Sequence, residues 1–161
     1  MNLHTTSLNI ILAGQAPSGA YVASPTFSQY GYSWLRDGAW IAYGMDCAGR
    51  HDSARAFYRW VGRTLSGQQN RLERLWQKLE RHETPGEADY LPTRFTLDGE
   101  VGSDFWWDFQ LDGYGAWLWG LAAHVAMTGD RDLWAALEPC VAMTMRYIAA
   151  LWQSPNYDCW E

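Results

Sequence analysis

Residues 30–37 read Tyr30-Gly31-Tyr32-Ser33-Trp34-Leu35-Arg36-Asp37, three aromatic rings followed by a cation and an anion. Aromatic faces pack on the C–H faces of a pyranose, and Arg36 and Asp37 offer neighbouring hydroxyls a planar donor fork and a pure acceptor. A second interpretation places both charged residues at the start of a helix that begins near Gly38. It explains Asp37 but not Arg36, because a cation is misplaced at a helix N-terminus unless it faces an anion or a ligand. From these residues alone, both interpretations stay open.

The apolar residues on either side of this stretch follow a helical period. Leu3–Ala13 is predicted to be a short amphipathic helix. Residues 38–48 are apolar or small at almost every position, which predicts an inner helix buried nearly all round. Residues 52–81 are apolar on one side only and are predicted to form one outer helix; the same pairing recurs in 111–127 and 133–152. This alternation predicts an all-α fold built from concentric layers of helical hairpins.

Residues 82–106 interrupt the helical pattern with Pro and Gly residues. Within them, residues 93–97 are predicted to form a short strand or hairpin arm. An irregular segment of this length is usually functional or disordered, and the aromatic residues Tyr90, Phe95 and Trp106 favour an ordered one.

Composition argues against several classes of protein. The chain has 161 residues, 48% of them hydrophobic, which fits at most one domain. A net charge of −6 argues against nucleic-acid binding, and no run of about 18 apolar residues predicts a membrane span. The three cysteines are predicted to be reduced, and neither a metal nor a cofactor is expected, since Cys and His show no metal-ligand spacing. Because no signal peptide is visible, we expect a cytoplasmic location.

Three motifs follow one another in an order that is specific to a known family. They are Ala23-Ser24-Pro25 with residues 30–37, then Phe109-Gln110-Leu111-Asp112-Gly113-Tyr114-Gly115, then Tyr157-Asp158-Cys159-Trp160-Glu161. This series resembles glycoside hydrolase family 15, the glucoamylase-like enzymes, from about residue 15 to residue 161. The resemblance implies a catalytic domain of six inner and six outer helices, an (α/α)6 barrel. Residues 1–161 would be a single, truncated domain with about the first five of these helices.

The resemblance also implies the roles of individual residues. Glu161 matches the general acid of the family, and the neighbouring Trp160 can lower the local dielectric and keep the acid protonated. Arg36 and Asp37 would hold the hydroxyls of the non-reducing-end glucose. Asp112 remains open between sugar contact and helix N-cap. The residues assigned to substrate binding are Tyr30, Trp34, Arg36, Asp37, Trp106, Gln110 and Trp160.

The function implied by the resemblance is exo-acting hydrolysis of α-linked glucose oligosaccharides or polysaccharides, with inversion at the anomeric carbon. Inversion needs two carboxyl groups about 6.5–9.5 Å apart, and the family's base lies on a helix further downstream. Nothing singles out Asp104, Asp108 or Asp158 as that base, so the chain alone is predicted to be inactive. Two alternatives stay open: a non-catalytic carbohydrate-binding or regulatory domain of the same family, and a helical-hairpin enzyme of another family.

Overall fold

The structure, a computed structural model, describes residues 2–106 and 108–157. Within these ranges the chain forms α-helices joined by irregular segments and one small antiparallel sheet. The helices are α1 (Leu3–Ala13), α2 (Leu35–Cys47), α3 (His51–Ser66), α4 (Gln69–Glu80), α5 (Asp112–Thr128) and α6 (Arg131–Leu151). The strands are β1 (Ser33–Trp34) and β2 (Arg94–Phe95), with Ser33 opposite Phe95 and Trp34 opposite Arg94.

Helices α2 and α5 pack side by side and run parallel. At their N-terminal ends, Arg36 of α2 contacts Asp112 of α5. Near their C-terminal ends, the buried carboxylate of Asp46 lies 2.9 Å from Nδ1 of His124, and Asp46 also lies 2.8 Å from Nδ1 of His51. Helix α3 packs against α2, α5 and α6, and α6 also packs against α5. The arrangement is the layered set of helical hairpins that the hydrophobic pattern predicts.

Two glycines let these helices approach closely. A Cβ on Gly38 would lie 2.3 Å from the ring of Phe57, so the aromatic ring of α3 fits into α2 only where a side chain is absent. A Cβ on Gly120 would lie 2.7 Å from the hydroxyl of Tyr58. The core around these contacts is rich in aromatic residues, and its largest fully buried members include Trp60, Trp117, Tyr58, Tyr114, Tyr147 and Phe57.

Helix α2 begins at Leu35, three residues before the predicted start near Gly38. Trp34 is extended, with φ −94° and ψ 139°, because it belongs to β1, and the buried Leu35 then opens the helix. Arg36 and Asp37 therefore both lie in the first turn. The position of Asp37 agrees with the helix-start interpretation, since an anion is favoured there.

The prediction that residues 38–48 are buried nearly all round is wrong. Trp40 is 57% exposed, and Gly44 and Cys47, which follow it at helical spacing, are exposed as well. Trp119 of α5 lies beside Trp40, with ring centroids 4.7 Å apart, and is 43% exposed. No element in the described ranges covers this side of α2 and α5.

The predicted outer helix over residues 52–81 is in fact two helices, α3 and α4, separated at Gly67. Apolar spacing continues across the break, because Leu65, Leu72 and Leu75 are all buried. Hydrophobic period alone therefore does not show where the chain turns. None of the described helices is long and apolar enough to span a bilayer.

Candidate active site

The candidate site lies where the N-terminal ends of α2 and α5 meet. β1 leads directly into α2, which places Arg36 and Asp37 in the first turn, and Asp112 is the first residue of α5. A Cβ on Gly113 would lie 3.4 Å from the backbone nitrogen of Arg36, which shows how closely the two helix ends approach. Two segments far apart in sequence thus contribute to one surface.

Arg36 is the centre of a polar cluster. Its Nη1 donates to Oδ2 of Asp112 at 2.9 Å and to Oε1 of Gln110 at 3.3 Å. Its Nε lies 3.5 Å from Oδ2 of Asp37. The side chains of Arg36, Asp37 and Asp112 remain partly exposed, whereas Gln110 is 2% exposed. The cation that the sequence left unexplained is thus compensated by two carboxylates and an amide oxygen.

The structure also decides how Asp112 acts at the start of α5. The N-cap position belongs to Leu111, and no side chain caps the helix. Asp112 instead turns its carboxylate towards Arg36. Its interpretation as an N-cap is therefore wrong.

The predicted aromatic residues gather beside this cluster at different depths. Tyr30 is 39% exposed, Trp106 is half-buried and Trp34 is 3% exposed. Their ring centroids lie 5.5 Å apart for Trp34 and Trp106, 5.8 Å for Tyr30 and Trp34, and 6.4 Å for Tyr30 and Trp106. Tyr30 and Trp106 thus offer ring surface to a ligand, while Trp34 packs behind them. We call Tyr30, Trp34 and Trp106 the aromatic wall.

Three further residues lie in the surroundings of the site: Tyr32, Arg94 and Asp104. Tyr32 was predicted only as part of the aromatic stretch and Asp104 only as an available carboxylate, while Arg94 was not predicted as a site residue at all. Tyr32 Oη donates to Oδ1 of Asp104 at 2.6 Å, and Arg94 Nη2 donates to Oδ2 at 2.7 Å. These two bonds lower the pKa of Asp104 to about 2, and the bond from Tyr32 has the larger effect. Asp104 in turn raises the pKa of the Tyr32 phenol. Arg94 lies in the segment 93–97, which was predicted to form a short strand or hairpin arm, but its partners lie in other segments.

The three aspartates considered as a possible second carboxyl differ in their surroundings. Asp104 is engaged by Tyr32 and Arg94 and is strongly acidic, as a structural carboxylate would be. Asp108 accepts a hydrogen bond from the backbone of Thr93, and burial raises its pKa. Asp158, Trp160 and Glu161 lie outside the described residues.

A cleft of about 230 Å³ opens beside Trp106. Its lining includes Arg71, Asp104, Asp108 and Phe109 as well as Trp106. Phe109, which lines the cleft, stacks on Tyr90 with ring centroids 3.8 Å apart. The aromatic wall therefore borders an open space at Trp106.

Nothing in the described part of the chain suggests a metal centre. No group of three or more His, Cys, Asp or Glu side chains in residues 2–106 and 108–157 is placed to hold a metal ion. Cys47 and Cys140 are free thiols, and burial raises the pKa of Cys140 to about 12. Cys159 lies outside the described residues.

Known glycosidases resemble this chain along most of its length. The isomaltose glucohydrolase of Kribbella flavida is 44% identical over 154 residues, an alignment that covers 94% of this chain and 39% of that protein. A wild-type glycosidase structure is 43% identical with a TM-score of 0.90, covering 99% of this chain and 43% of its own. A variant of a glycosidase in complex with glucose is also 43% identical, with a TM-score of 0.89 and coverage of 98% and 42%. The chain thus spans about two fifths of the length of these relatives.

A more distant likeness concerns the fold. The glucoamylase from Saccharomycopsis fibuligera is 14% identical, with a TM-score of 0.63 over 89% of this chain and 33% of its own. The all-α prediction is confirmed, and the helices correspond to a truncated part of an (α/α)6 barrel. A family model described as glycosyl hydrolases family 15 matches residues 3–161. The chain therefore belongs to glycosyl hydrolases family 15.

Proposed function

We propose that this chain carries the glucose-binding part of an exo-acting α-glucosidase that releases glucose from the non-reducing end of its substrate. The observation that carries the proposal is the polar cluster around Arg36 beside the aromatic wall. A guanidinium flanked by the carboxylates of Asp37 and Asp112 offers donors and acceptors side by side. This arrangement matches the vicinal hydroxyls of a sugar, while ring faces match its C–H groups.

We infer that the substrate is an isomaltose-like α-glucoside. The support is the 44% identity to an isomaltose glucohydrolase and the likeness to a glycosidase variant that holds glucose. The partly exposed side chains of Arg36, Asp37 and Asp112 suit a neutral, polyhydroxylated ligand, because a guanidinium in contact with two carboxylates presents both donors and acceptors to hydroxyl groups.

For catalysis we assign the general acid to Glu161, with Trp160 beside it in sequence to keep the carboxyl protonated. The second carboxyl of an inverting mechanism would come from residues beyond position 161, about 6.5–9.5 Å from the acid. Asp104 does not suit this role, since both of its oxygens accept hydrogen bonds from within the protein. The 161-residue chain alone is accordingly expected not to hydrolyse glycosides.

The test compares the 161-residue chain with a longer polypeptide that carries it and reaches the length of the relatives. We expect the longer protein to release glucose from isomaltose faster than from maltose or trehalose, and the short chain to release none. Proton NMR of the first turnovers should show β-glucose, the inverted anomer. Release of α-glucose first, or hydrolysis by the short chain, would contradict the mechanism.

The role of Glu161 is tested in the same longer protein. Glu161→Gln should lower kcat by about 10²–10⁴-fold, the usual contribution of a general acid. The matched control is Glu138→Gln, the same change at an exposed position on α6, which should leave kcat unchanged. Full activity of the Glu161 variant would remove it from the mechanism. Glucose binding without any hydrolysis by the wild-type protein would favour a carbohydrate-binding domain instead.

A further inference from the structure

Arg94 is almost completely buried, with 2% of its surface exposed, although its guanidinium carries a full charge. A buried cation costs several kcal/mol unless it is paired and hydrogen-bonded. Here Nη2 donates to Asp104 at 2.7 Å and Nη1 donates to the backbone carbonyl of Gln29 at 3.2 Å. The burial of this charge is thus compensated by groups that belong to two different segments.

The same guanidinium contacts the rings of the site. Its central carbon lies 4.1 Å from the ring centroid of Tyr32, 4.1 Å from that of Trp106 and 5.6 Å from that of Trp34. Backbone pairing between Arg94 and Trp34 in the small sheet fixes the cation at this place. Arg94 therefore links the 30–37 stretch to the segment that carries Trp106.

Asp104 anchors both ends of this link. One of its oxygens accepts from Tyr32 and the other from Arg94, so the carboxylate fixes the ring and the guanidinium relative to each other. The backbone nearby is equally close-packed, because a Cβ on Gly102 would lie 3.1 Å from the Tyr32 ring and 3.4 Å from Asp104. Trp106 follows only two residues after Asp104, and its ring contacts the guanidinium that Asp104 binds.

The chemistry of arginine suits this task better than that of any other cation. Its guanidinium is planar and weakly hydrated, so it stacks on aromatic faces while its edge donates hydrogen bonds. A lysine ammonium is a compact, strongly hydrated point charge that cannot do both at once.

We propose that Arg94 is a positioning residue of the sugar site, whose guanidinium, anchored by Asp104, holds the Trp106 ring in place within the aromatic wall. Arg94 itself does not reach the sugar, because it is buried behind the rings. The expected effect of Arg94 on substrate binding rests on the proposed function of the site as a glucose subsite. The expected effect of Arg94 on the position of Trp106 does not depend on that function.

The first test reads the position of Trp106 without any assay of activity. Hydroxyl-radical footprinting with mass spectrometry measures how fast Trp106 is oxidised in the wild-type protein, in Arg94→Lys and in Arg55→Lys. Arg55 of α3 forms an ion pair with Asp130, the N-cap of α6, so it is a control for the same substitution at an ion pair away from the aromatic wall. We expect oxidation of Trp106 to be several-fold faster in the Arg94 variant only. Equal rates in the three proteins would overturn the proposal.

The second test reads substrate binding in the longer protein. Arg94→Lys should raise KM for isomaltose about tenfold, as expected for loss of one aromatic contact, while kcat changes little. Arg55→Lys should alter neither constant. A variant that only melts at a lower temperature, with KM unchanged, would show that Arg94 is structural and refute the proposal.

Asp104→Asn serves as a second variant if Arg94→Lys does not fold. It keeps the size of the side chain and removes the charge that anchors Arg94, so it should raise both the oxidation rate of Trp106 and KM. A wild-type protein that releases no glucose would overturn the proposed function, while the footprinting result would still decide whether Arg94 holds Trp106.

Discussion

Arg36 lies in the first turn of α2, where the positive end of the helix dipole opposes a cation. It is held there by Asp112, Gln110 and Asp37, which together orient its donors. Arg36→Lys keeps the charge but loses the fork geometry, so kcat/KM for isomaltose in the longer protein should fall about 100-fold. Steady-state kinetics measures this directly.

The control for this change is Arg59→Lys, which alters an exposed residue of α3 away from the site. It should leave kcat/KM at the wild-type value. If the two lysine variants behave alike, Arg36 plays no part in binding sugar.

Asp104 gives a prediction about pH. Its pKa in the folded protein is about 2, below its ordinary value of 3.8, because Tyr32 and Arg94 favour the charged form. Its contribution to stability is therefore fully present above about pH 4 and is lost as pH falls towards 2. Urea unfolding of the wild-type protein and Asp104→Asn should show the same difference in midpoint at pH 7 and pH 5, and a shrinking one below pH 4.

Glu83→Gln, an exposed change in a loop, is the control for the pH series and should shift the urea midpoint little at any pH. A midpoint difference between wild type and Asp104→Asn that persists unchanged near pH 2 would contradict the assigned contacts.

The residues of the site differ in how far the sequence reveals them. Arg36 and Asp37 stand next to each other in a motif of rings and charges, so a binding role could be considered for them from local pattern alone. Asp112 was ambiguous, because an aspartate at a helix start has a local role as well as a distant one. Arg94 was missed, because its contacts are with Gln29, Tyr32 and Asp104, which only the folded chain brings around it.

At the scale of whole helices, the hydrophobic period was enough to predict the type and approximate position of most elements. It was not enough to predict where each helix begins and ends. The start of α2 depends on the pairing of β1 with β2, whose residues are about 60 positions apart in the sequence. Such a pairing cannot be predicted from the residues next to α2. The break between α3 and α4 at Gly67 was hidden, because apolar residues keep their spacing across it.

The contact between α2 and α3 gives a prediction about stability. Alanine is a better helix former than glycine, but a Cβ at Gly38 would meet the Phe57 ring at 2.3 Å. Gly38→Ala should therefore destabilise the fold by about 1–3 kcal/mol, the usual cost of overpacking. Urea unfolding of a polypeptide with a reversible transition measures the difference.

Gly44→Ala is the matched control on the same helix, because no atom lies within 4 Å of the added Cβ. This change should stabilise the protein by about 0.5–1 kcal/mol through helix propensity alone. The packing argument fails if both variants shift stability in the same direction.

At the scale of the molecule, one side of the α2–α5 pair exposes aromatic surface. The rings of Trp40 and Trp119 pack against each other there at a tilt of 43°, and the ring of Tyr43 lies 5.0 Å from that of Trp119. Contiguous exposed apolar surface promotes association. The purified 161-residue chain should accordingly form assemblies that grow with concentration, as analytical ultracentrifugation would show.

Replacing Trp40 and Trp119 together by Gln should shift the chain towards monomer. Trp152→Gln, at an exposed position just after α6, should not. A sharp, cooperative melt of a wild-type monomer would show instead that the chain is stable with this surface open.

The bond between Arg36 and Asp112 joins residues 76 positions apart. During synthesis the N-terminal end of the chain leaves the ribosome first. Arg36 can therefore pair with Asp112 only after the start of α5 has been synthesised and has left the ribosome. Until then a first-turn cation faces the helix dipole without Asp112 or Gln110. The polar cluster around Arg36 is thus completed by late closure rather than by local folding, and its formation requires that α2 and α5 have packed together.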